Sequence, residues 1–214
     1  MSHKITGDTE ISFDLQVSGG GWIAFVFGLP RYNSSMEYGD VGTWFFSDVT
    51  RLMDDKKGTS GGPSDTTMDD YAKFDVSPWK FSKASIRYVL TKKDEPRESD
   101  GATMYKLDLY MYEAGENCPS TPQATYDNLE CDGYYGFSSM GNVKMTVTNF
   151  AVQENGKKVF EDNFTQSAFM FDNVNVPNAK WAVTYFDSSM LALGPTANVK
   201  IVTGKEDGSI TNSR

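Results

Sequence analysis

The stretch "EISFDLQVSGGGWIAFVFG", from Glu10 to Gly28, decides the fold. Apolar and polar residues alternate from Glu10 to Ser18, a period of two that is typical of an antiparallel strand with one face in the core. The glycine triplet at 19–21 is expected to form a turn. The apolar run "WIAFVFG" that follows predicts a second, central strand that is covered on both faces.

The same pattern recurs along the chain, and it predicts an all-β protein. The segment "YYGFSSMGNVKMTVTNFAV", from 134 to 152, holds an alternating strand, and Asn155-Gly156 is typical of a hairpin turn. Short strands separated by turn signals favour a sandwich or a barrel. With 214 residues, one domain spanning 1–214 is expected. Further strands are predicted at 41–49, 79–91, 104–112, 179–186, 190–194 and 198–204.

The overall charge argues against two classes of partner. The net charge is -9 and the pI is near 4.6, so nucleic acid and anionic membranes are both expected to be repelled. No apolar run reaches the roughly 18–20 residues that span a bilayer, so membrane insertion is not expected. The start "MSHKITGD" lacks the apolar segment of a signal peptide.

The cysteines and the histidine limit the possible chemistry. Cys118 and Cys131 flank a polar loop, and a disulfide between them would indicate an oxidising compartment. Two free buried thiols are the alternative. His3 is the only histidine and is expected to lie in a frayed end, which excludes Ser-His-Asp and Cys-His catalysis and histidine-based zinc sites.

Three segments together resemble the concanavalin A-like, laminin-G-like superfamily. They are "ISFDLQVSGGGWIAFVFG", "YKLDLYMYEAG" and "GYYGFSSMGNVKMTVTNFAV", and the resemblance covers most of Glu10 to Val152. It implies a jelly-roll sandwich of two antiparallel sheets. It also implies that an Asn-Phe pair, here Asn149-Phe150, docks the end of the near-terminal strand into the core.

The tail resembles the opening of such domains. In "VFEDNF" a Phe-x-Asp-x-Phe stretch precedes a strand that carries Trp181. The motif Lys-Ile-Thr-Gly at 4–7 also recurs as Lys-Ile-Val-Thr-Gly at 200–204. The chain is therefore either out of phase with a tandem array or a permuted sandwich, unless the recurrence is a coincidence. Both explanations expect residues 159–214 to supply strands that pack beside the N-terminal strands.

Domains of this superfamily mostly bind or cleave carbohydrate, and two segments supply suitable side chains. Sugar recognition needs flat aromatic rings together with polar groups that bind hydroxyls. Tyr110 and Tyr112 lie on the wet face of their predicted strand, where cross-strand packing is the alternative role. In the segment 31–44, Tyr32 and Tyr38 would otherwise cover the sheet edge and Trp44 would lie in the core. The candidates for binding a glycan are Arg31, Tyr32, Asn33, Glu37, Tyr38, Asp40, Trp44, Tyr110 and Tyr112.

A long polar, glycine-rich loop is a candidate calcium site. Calcium takes carboxylate and carbonyl oxygens from flexible loops, although an acidic loop that merely stays in solvent would have the same composition. The candidate ligands are Asp54, Asp55, Asp65, Asp69 and Asp70.

Catalysis has less support in the sequence. Jelly-roll glucanases commonly carry their carboxylate pair in a Glu-x-Asp-x-(x)-Glu pattern on one strand, and that pattern is not present in the sequence. The leading hypothesis is a non-catalytic, lectin-like module of a secreted or cell-surface protein. A structural or adhesive module, whose partner is a protein or a neighbouring repeat, is the second hypothesis. A glycoside hydrolase or polysaccharide lyase is the third.

Overall fold

A computed structural model describes residues 3–30, 43–46, 51–54, 80–164, 169–171, 180–183, 200–202 and 210–213. Their regular structure is β, and no α-helix occurs in these ranges; none of them therefore holds a helix long and apolar enough to cross a membrane. The strands are β1 (Thr9–Leu29), β2 (Thr43–Phe46), β3 (Arg51–Asp54), β4 (Ala84–Lys92), β5 (Tyr105–Glu113), β6 (Ala124–Leu129), β7 (Tyr134–Glu154), β8 (Lys157–Asp162), β9 (Phe169–Phe171), β10 (Trp181–Val183), β11 (Lys200–Val202) and β12 (Ile210–Ser213).

The long strands β1 and β7 form the centre of a ten-stranded antiparallel sheet. Its main order is β11-β12-β7-β1-β4-β5-β6, while β2 also pairs with β1, β3 with β2, and β8 with β7. The tail strands β8, β11 and β12 thus belong to the same sheet as β1, although they join it through β7. The second sheet contains β9 and β10, which are parallel, whereas two antiparallel sheets were expected.

The glycine triplet bends a strand and does not end it. The predicted turn at 19–21 is wrong, because β1 runs through all three glycines and stays paired with β7 at 141–143. Phe13 and Phe25 are twelve residues apart in β1, which would separate them by ~40 Å in a straight strand. Their ring centroids are nevertheless 5.4 Å apart. The β1–β7 ribbon therefore folds back on itself, and its two halves enclose aromatic side chains.

The bend falls where the backbone is least restricted. Gly19 has a φ of 92°, a left-handed conformation that glycine adopts without the steric cost of a Cβ. Opposite the triplet, β7 contributes Gly141, which pairs with Gly21. Glycine on both strands of the ribbon accommodates the sharp change of direction.

The alternation predicted in the sequence sets the two faces of the sheet. In β4, Ile86, Tyr88 and Leu90 are buried, and in β5 Leu107 and Leu109 are buried, while the residues between them are half-exposed. The hairpin turn at Asn155-Gly156 is confirmed, since it joins β7 to β8 and both residues have positive φ, as a type I′ turn requires. Strand β6 was not predicted, because it lies inside the loop that the cysteines flank.

The tail tryptophan packs on the end of the ribbon. Trp181 lies in a strand, as the sequence predicted, and it is the first residue of β10. Its indole N–H donates to the buried carboxylate of Asp162 at 2.6 Å. The second oxygen of Asp162 accepts the Phe164 backbone N–H at 2.8 Å. The Trp181 ring lies 5.1 Å from that of Phe150, which is 1% exposed. The Asn-Phe pair at 149–150 therefore does place its phenylalanine in the core.

Buried tyrosines are expected to make the fold sensitive to alkali. Burial raises the pKa of Tyr88 and Tyr135 above the ordinary value of 10.0. Since the folded state holds these protons more tightly than the unfolded state, stability is fully present below pH ~10 and is lost as the pH rises beyond it. The expected slope is about 1.4 kcal/mol per pH unit for each such tyrosine.

Urea unfolding from about pH 8 to about pH 11 measures this slope. In Tyr88→Phe the unfolded chain has one tyrosine fewer to ionise, so the alkaline loss of stability should be shallower than in the wild type. Equal slopes in the two proteins would contradict the assignment to Tyr88.

Candidate functional site

The candidate site lies on the side of strands β1, β4 and β5 that faces away from the core, here called the outer face. Alternation along each strand places polar and aromatic side chains there, and all of them are half-buried. They are Glu10, Ser12, Asp14, Ser85, Arg87, Asp108, Tyr110 and Tyr112.

Arg87 is the centre of this face. Its Nη2 donates to Glu10 Oε2 at 2.7 Å, and its guanidinium carbon lies 5.2 Å from the centroid of the Tyr110 ring. The hydrogen bond that Arg87 donates to Glu10 is the largest cause of the raised pKa of Arg87. The guanidinium is thus held between a carboxylate and an aromatic face, where charge and ring both fix its orientation.

Asp14 forms a second polar centre on the outer face, where it lies opposite Ser85 of β4. Its carboxylate accepts the Ser85 hydroxyl at 2.6 Å and the Asn149 amide at 2.7 Å, and Lys83 Nζ lies 3.5 Å away. Tyr112 pairs with Ser85 in the strand register. Tyr110 and Tyr112 therefore each have an anchored polar group on the adjacent strands.

The predicted disulfide is not formed. Cys118 is exposed and its Sγ lies 3.8 Å from Arg87 Nη1 on the outer face, whereas Cys131 is fully buried in the core. The sheet separates the two positions. Partial burial and then Cys118 raise the pKa of Tyr112. The argument for an oxidising compartment loses this support.

The structure brings together two of the predicted glycan-binding residues. Tyr110 and Tyr112 are both on the outer face, as the alternation predicted. Trp44 lies in β2 opposite Val26, and the position of its side chain is outside the described part. The remaining candidates, which are Arg31, Tyr32, Asn33, Glu37, Tyr38 and Asp40, fall outside the described residues.

The predicted calcium ligands are also mostly beyond the described ranges. Asp54 ends β3, and Asp55, Asp65, Asp69 and Asp70 lie in the undescribed segment that follows. Among the side chains that are described, no three His, Cys, Asp or Glu residues gather where a metal ion could bind.

His3 does not lie in a frayed end, so that expectation is wrong. Its Nδ1 is 2.9 Å from the Tyr135 hydroxyl and its Nε2 is 3.2 Å from Glu154 Oε1. Burial lowers the pKa of His3, against the opposing effect of Glu154. Two residues on, Ile5 is fully buried and exchanges backbone hydrogen bonds with Gly133, so the N-terminal segment is part of the fold.

The outer face combines flat rings with fixed hydrogen-bonding groups. Tyr110 and Tyr112 offer ring surface, Glu10 and Asp14 accept hydrogen bonds, and Arg87 donates them. Sequence reasoning missed Arg87 and Glu10 as partners of the tyrosines. Alternation alone puts both on an outer face, but the pairing of β4 with β1 and β5 is what brings them together.

A comparison with protein-family models, curated proteins and solved structures finds no match to this chain.

Proposed function

We propose that this protein is a non-catalytic carbohydrate-binding module that binds a glycan on its outer face. One observation carries the proposal: Tyr110 and Tyr112 lie on the same face as Arg87, Glu10 and Asp14, whose polar groups are held by neighbours. Sugars present an apolar ring face and a rim of hydroxyls. Tyrosine rings suit the first, and a carboxylate beside a guanidinium suits the second.

The fold that we propose for it is a concanavalin A-like jelly-roll sandwich. The folded-back β1–β7 ribbon supports two layers with aromatic residues between them, since Phe13 of one half stacks on Phe25 of the other. We also propose a secreted or cell-surface location, where glycans are displayed, and calcium in the segment after β3 as a cofactor of binding.

A structural or adhesive module is the second candidate. The observation that favours it is the recurrence of the Lys-Ile-Thr-Gly motif, together with the position of Lys200–Val202 as β11, which is at the end of the main strand order. A strand at that position has an edge on which a neighbouring repeat could pair.

Tyr110→Ala tests the first candidate. A glycan-array screen with calcium, repeated with a chelator, identifies a ligand, and calorimetry then compares variants on that ligand. Loss of a ring that covers a sugar is expected to cost about 1.5–3 kcal/mol, or roughly a tenfold to hundredfold loss of affinity. Loss of binding in chelator would support the calcium proposal.

Tyr134→Ala is the matched control, because Tyr134 is also a half-buried tyrosine with a cation, Lys4, over its ring, but it pairs with Leu29 in the other half of the ribbon. Its affinity should equal that of the wild type. If Tyr110→Ala binds the ligand with the affinity of the wild type, the outer face is not the binding site. If the folded protein binds no glycan on the array, the structural or adhesive candidate is favoured.

A further inference from the structure

The strand register aligns five residues in one line across five strands. Tyr110 is opposite Arg87, Arg87 is opposite Ser12, Ser12 is opposite Ala151, and Ala151 is opposite Glu161. Residues that are directly opposite on neighbouring strands point to the same face. This transverse row therefore crosses β5, β4, β1, β7 and β8 over four inter-strand spacings, or ~19 Å.

The row is raised at its β5–β4 end and low over β1 and β7. Ser12 and Ala151 have small side chains, while Tyr110 and Arg87 rise on one side. On the other side Ala151 lines an open groove of about 520 Å³ together with Asn149, Phe150, Lys158, Glu161, Asp162, Asn163 and Lys180. At ~19 Å, the row is longer than a single sugar ring needs.

Two polar atoms, one in the row and one beside it, are buried and have no hydrogen-bond partner. They are Arg87 Nε and Thr148 Oγ1. Thr148 is only 8% exposed and pairs with Asp14, so it belongs to the outer face next to Ser12. Buried polar atoms are normally satisfied. Both atoms lie beneath the surface of the row, so the contacts with a glycan come from the exposed groups of the row and not from these two atoms.

The charges along the row are balanced in pairs. Arg87 is 2.7 Å from Glu10, and Lys158 is 2.7 Å from Glu161, whose pKa is lowered chiefly by that hydrogen bond. Lys83 and Lys106 have carboxylate partners in Asp14 and Asp108. With a net charge of -9 for the chain, a polyanion has no attraction to this surface.

We propose that the glycan is a linear, neutral polysaccharide that lies along the transverse row, at right angles to the strands. This inference rests on the proposed function. Tyr110 stacks on one sugar, the chain passes over Ser12 and Ala151, and its far part binds the polar groups of the groove at Lys158 and Asn163.

The experiment is calorimetry with matched series of oligosaccharides, from disaccharide to hexasaccharide, prepared from cellulose, laminarin, xylan and polygalacturonate. One neutral series should gain about tenfold or more in affinity between the disaccharide and the hexasaccharide. Its affinity should be nearly independent of salt, because no net charge is neutralised. Better binding of polygalacturonate, weakened by salt, would overturn the neutral ligand.

Ala151→Trp tests the path of the chain, since a large ring in the middle of the row separates its two ends. It should reduce hexasaccharide affinity to that of the disaccharide and leave disaccharide affinity unchanged. Lys158→Ala, on a half-exposed side chain, is a milder variant and should weaken only the longer oligosaccharides. Lys157→Ala, at the neighbouring exposed lysine outside the groove, should have no effect.

The outcomes separate the inference from the proposed function. If the disaccharide binds, is lost in Tyr110→Ala, and is bound as tightly as the hexasaccharide, the transverse row is wrong while the glycan site stands. Hexasaccharide binding that is insensitive to both Ala151→Trp and Lys158→Ala would also overturn the row. If no oligosaccharide binds the folded protein, the proposed function itself fails.

Discussion

Replacing Gly133 by alanine is expected to destabilise the protein by about 3 kcal/mol or more. Gly133 has a φ of 119°, where a side chain costs about 1–3 kcal/mol. A Cβ at this position would also lie 2.8 Å from the backbone oxygen of Leu29. Backbone cannot move aside as the end of a flexible side chain can. The displaced Gly133 would in turn lose its two hydrogen bonds to Ile5, at 2.8 and 3.0 Å.

Two other glycines serve as controls that separate the cost of backbone strain from the cost of the steric clash with Leu29. Gly115 has a φ of 96°, but no atom lies within 4 Å of the position that a Cβ would take, so Gly115→Ala should cost only the conformational strain, about 1–2 kcal/mol. Gly136 has equal space and no positive φ, so Gly136→Ala should change stability least. Urea unfolding with equal m-values measures the series. A Gly133→Ala protein no less stable than Gly115→Ala would contradict the close approach to Leu29.

Phe25→Ala is expected to cost about 3–5 kcal/mol. Phe25 is 2% exposed, and its ring lies 5.4 Å from Phe13, 5.0 Å from Phe137 and 5.2 Å from Tyr88. Alanine would leave a cavity between the two halves of the ribbon, and the aromatic contacts add to the area that is lost. The large effect follows from the position of the residue where both halves meet.

The free energy of unfolding in urea or guanidinium checks this result. Val159→Ala is the control, because Val159 is 45% exposed and a surface substitution of this kind usually stays within about 0.5 kcal/mol. A loss below about 1 kcal/mol in Phe25→Ala would mean that the two halves of β1 do not pack on each other as described.

Alternation in the sequence predicted which residues face the core, and it did so in β1, β4, β5 and β7. It could not predict where a strand bends. Three glycines are compatible with a tight turn or with a flexible strand, and only the continuous pairing of β1 with β7 distinguishes them. A period of two also does not show which strands are neighbours. Strand β6 was missed because its burial does not alternate: Tyr126 and Leu129 are the buried residues in it.

For the candidate site too, the sequence predicted the face on which a side chain lies but not its neighbours on other strands. The pattern of β5 places Tyr110 and Tyr112 on the wet face, and the structure agrees. Arg87 comes from a strand that adjoins β5, and Glu10 from a strand that is almost 100 residues earlier in the chain. The disulfide was wrong for a related reason: spacing along a loop does not show that the sheet passes between Cys118 and Cys131.

The pairing of β1 with β7 has a consequence for how the chain folds. Thr9 pairs with Glu154, so the first strand stays without its complete central partner until residue 154 has been synthesised. Closing so large a loop costs entropy before any contact compensates for it, and sheets dominated by distant pairs fold slowly for that reason, in milliseconds to seconds. The β4–β5 and β7–β8 hairpins need only local contacts, and such hairpins form in about 1–10 μs. The apolar face of β1 is therefore the part of a growing chain that most needs protection from other molecules.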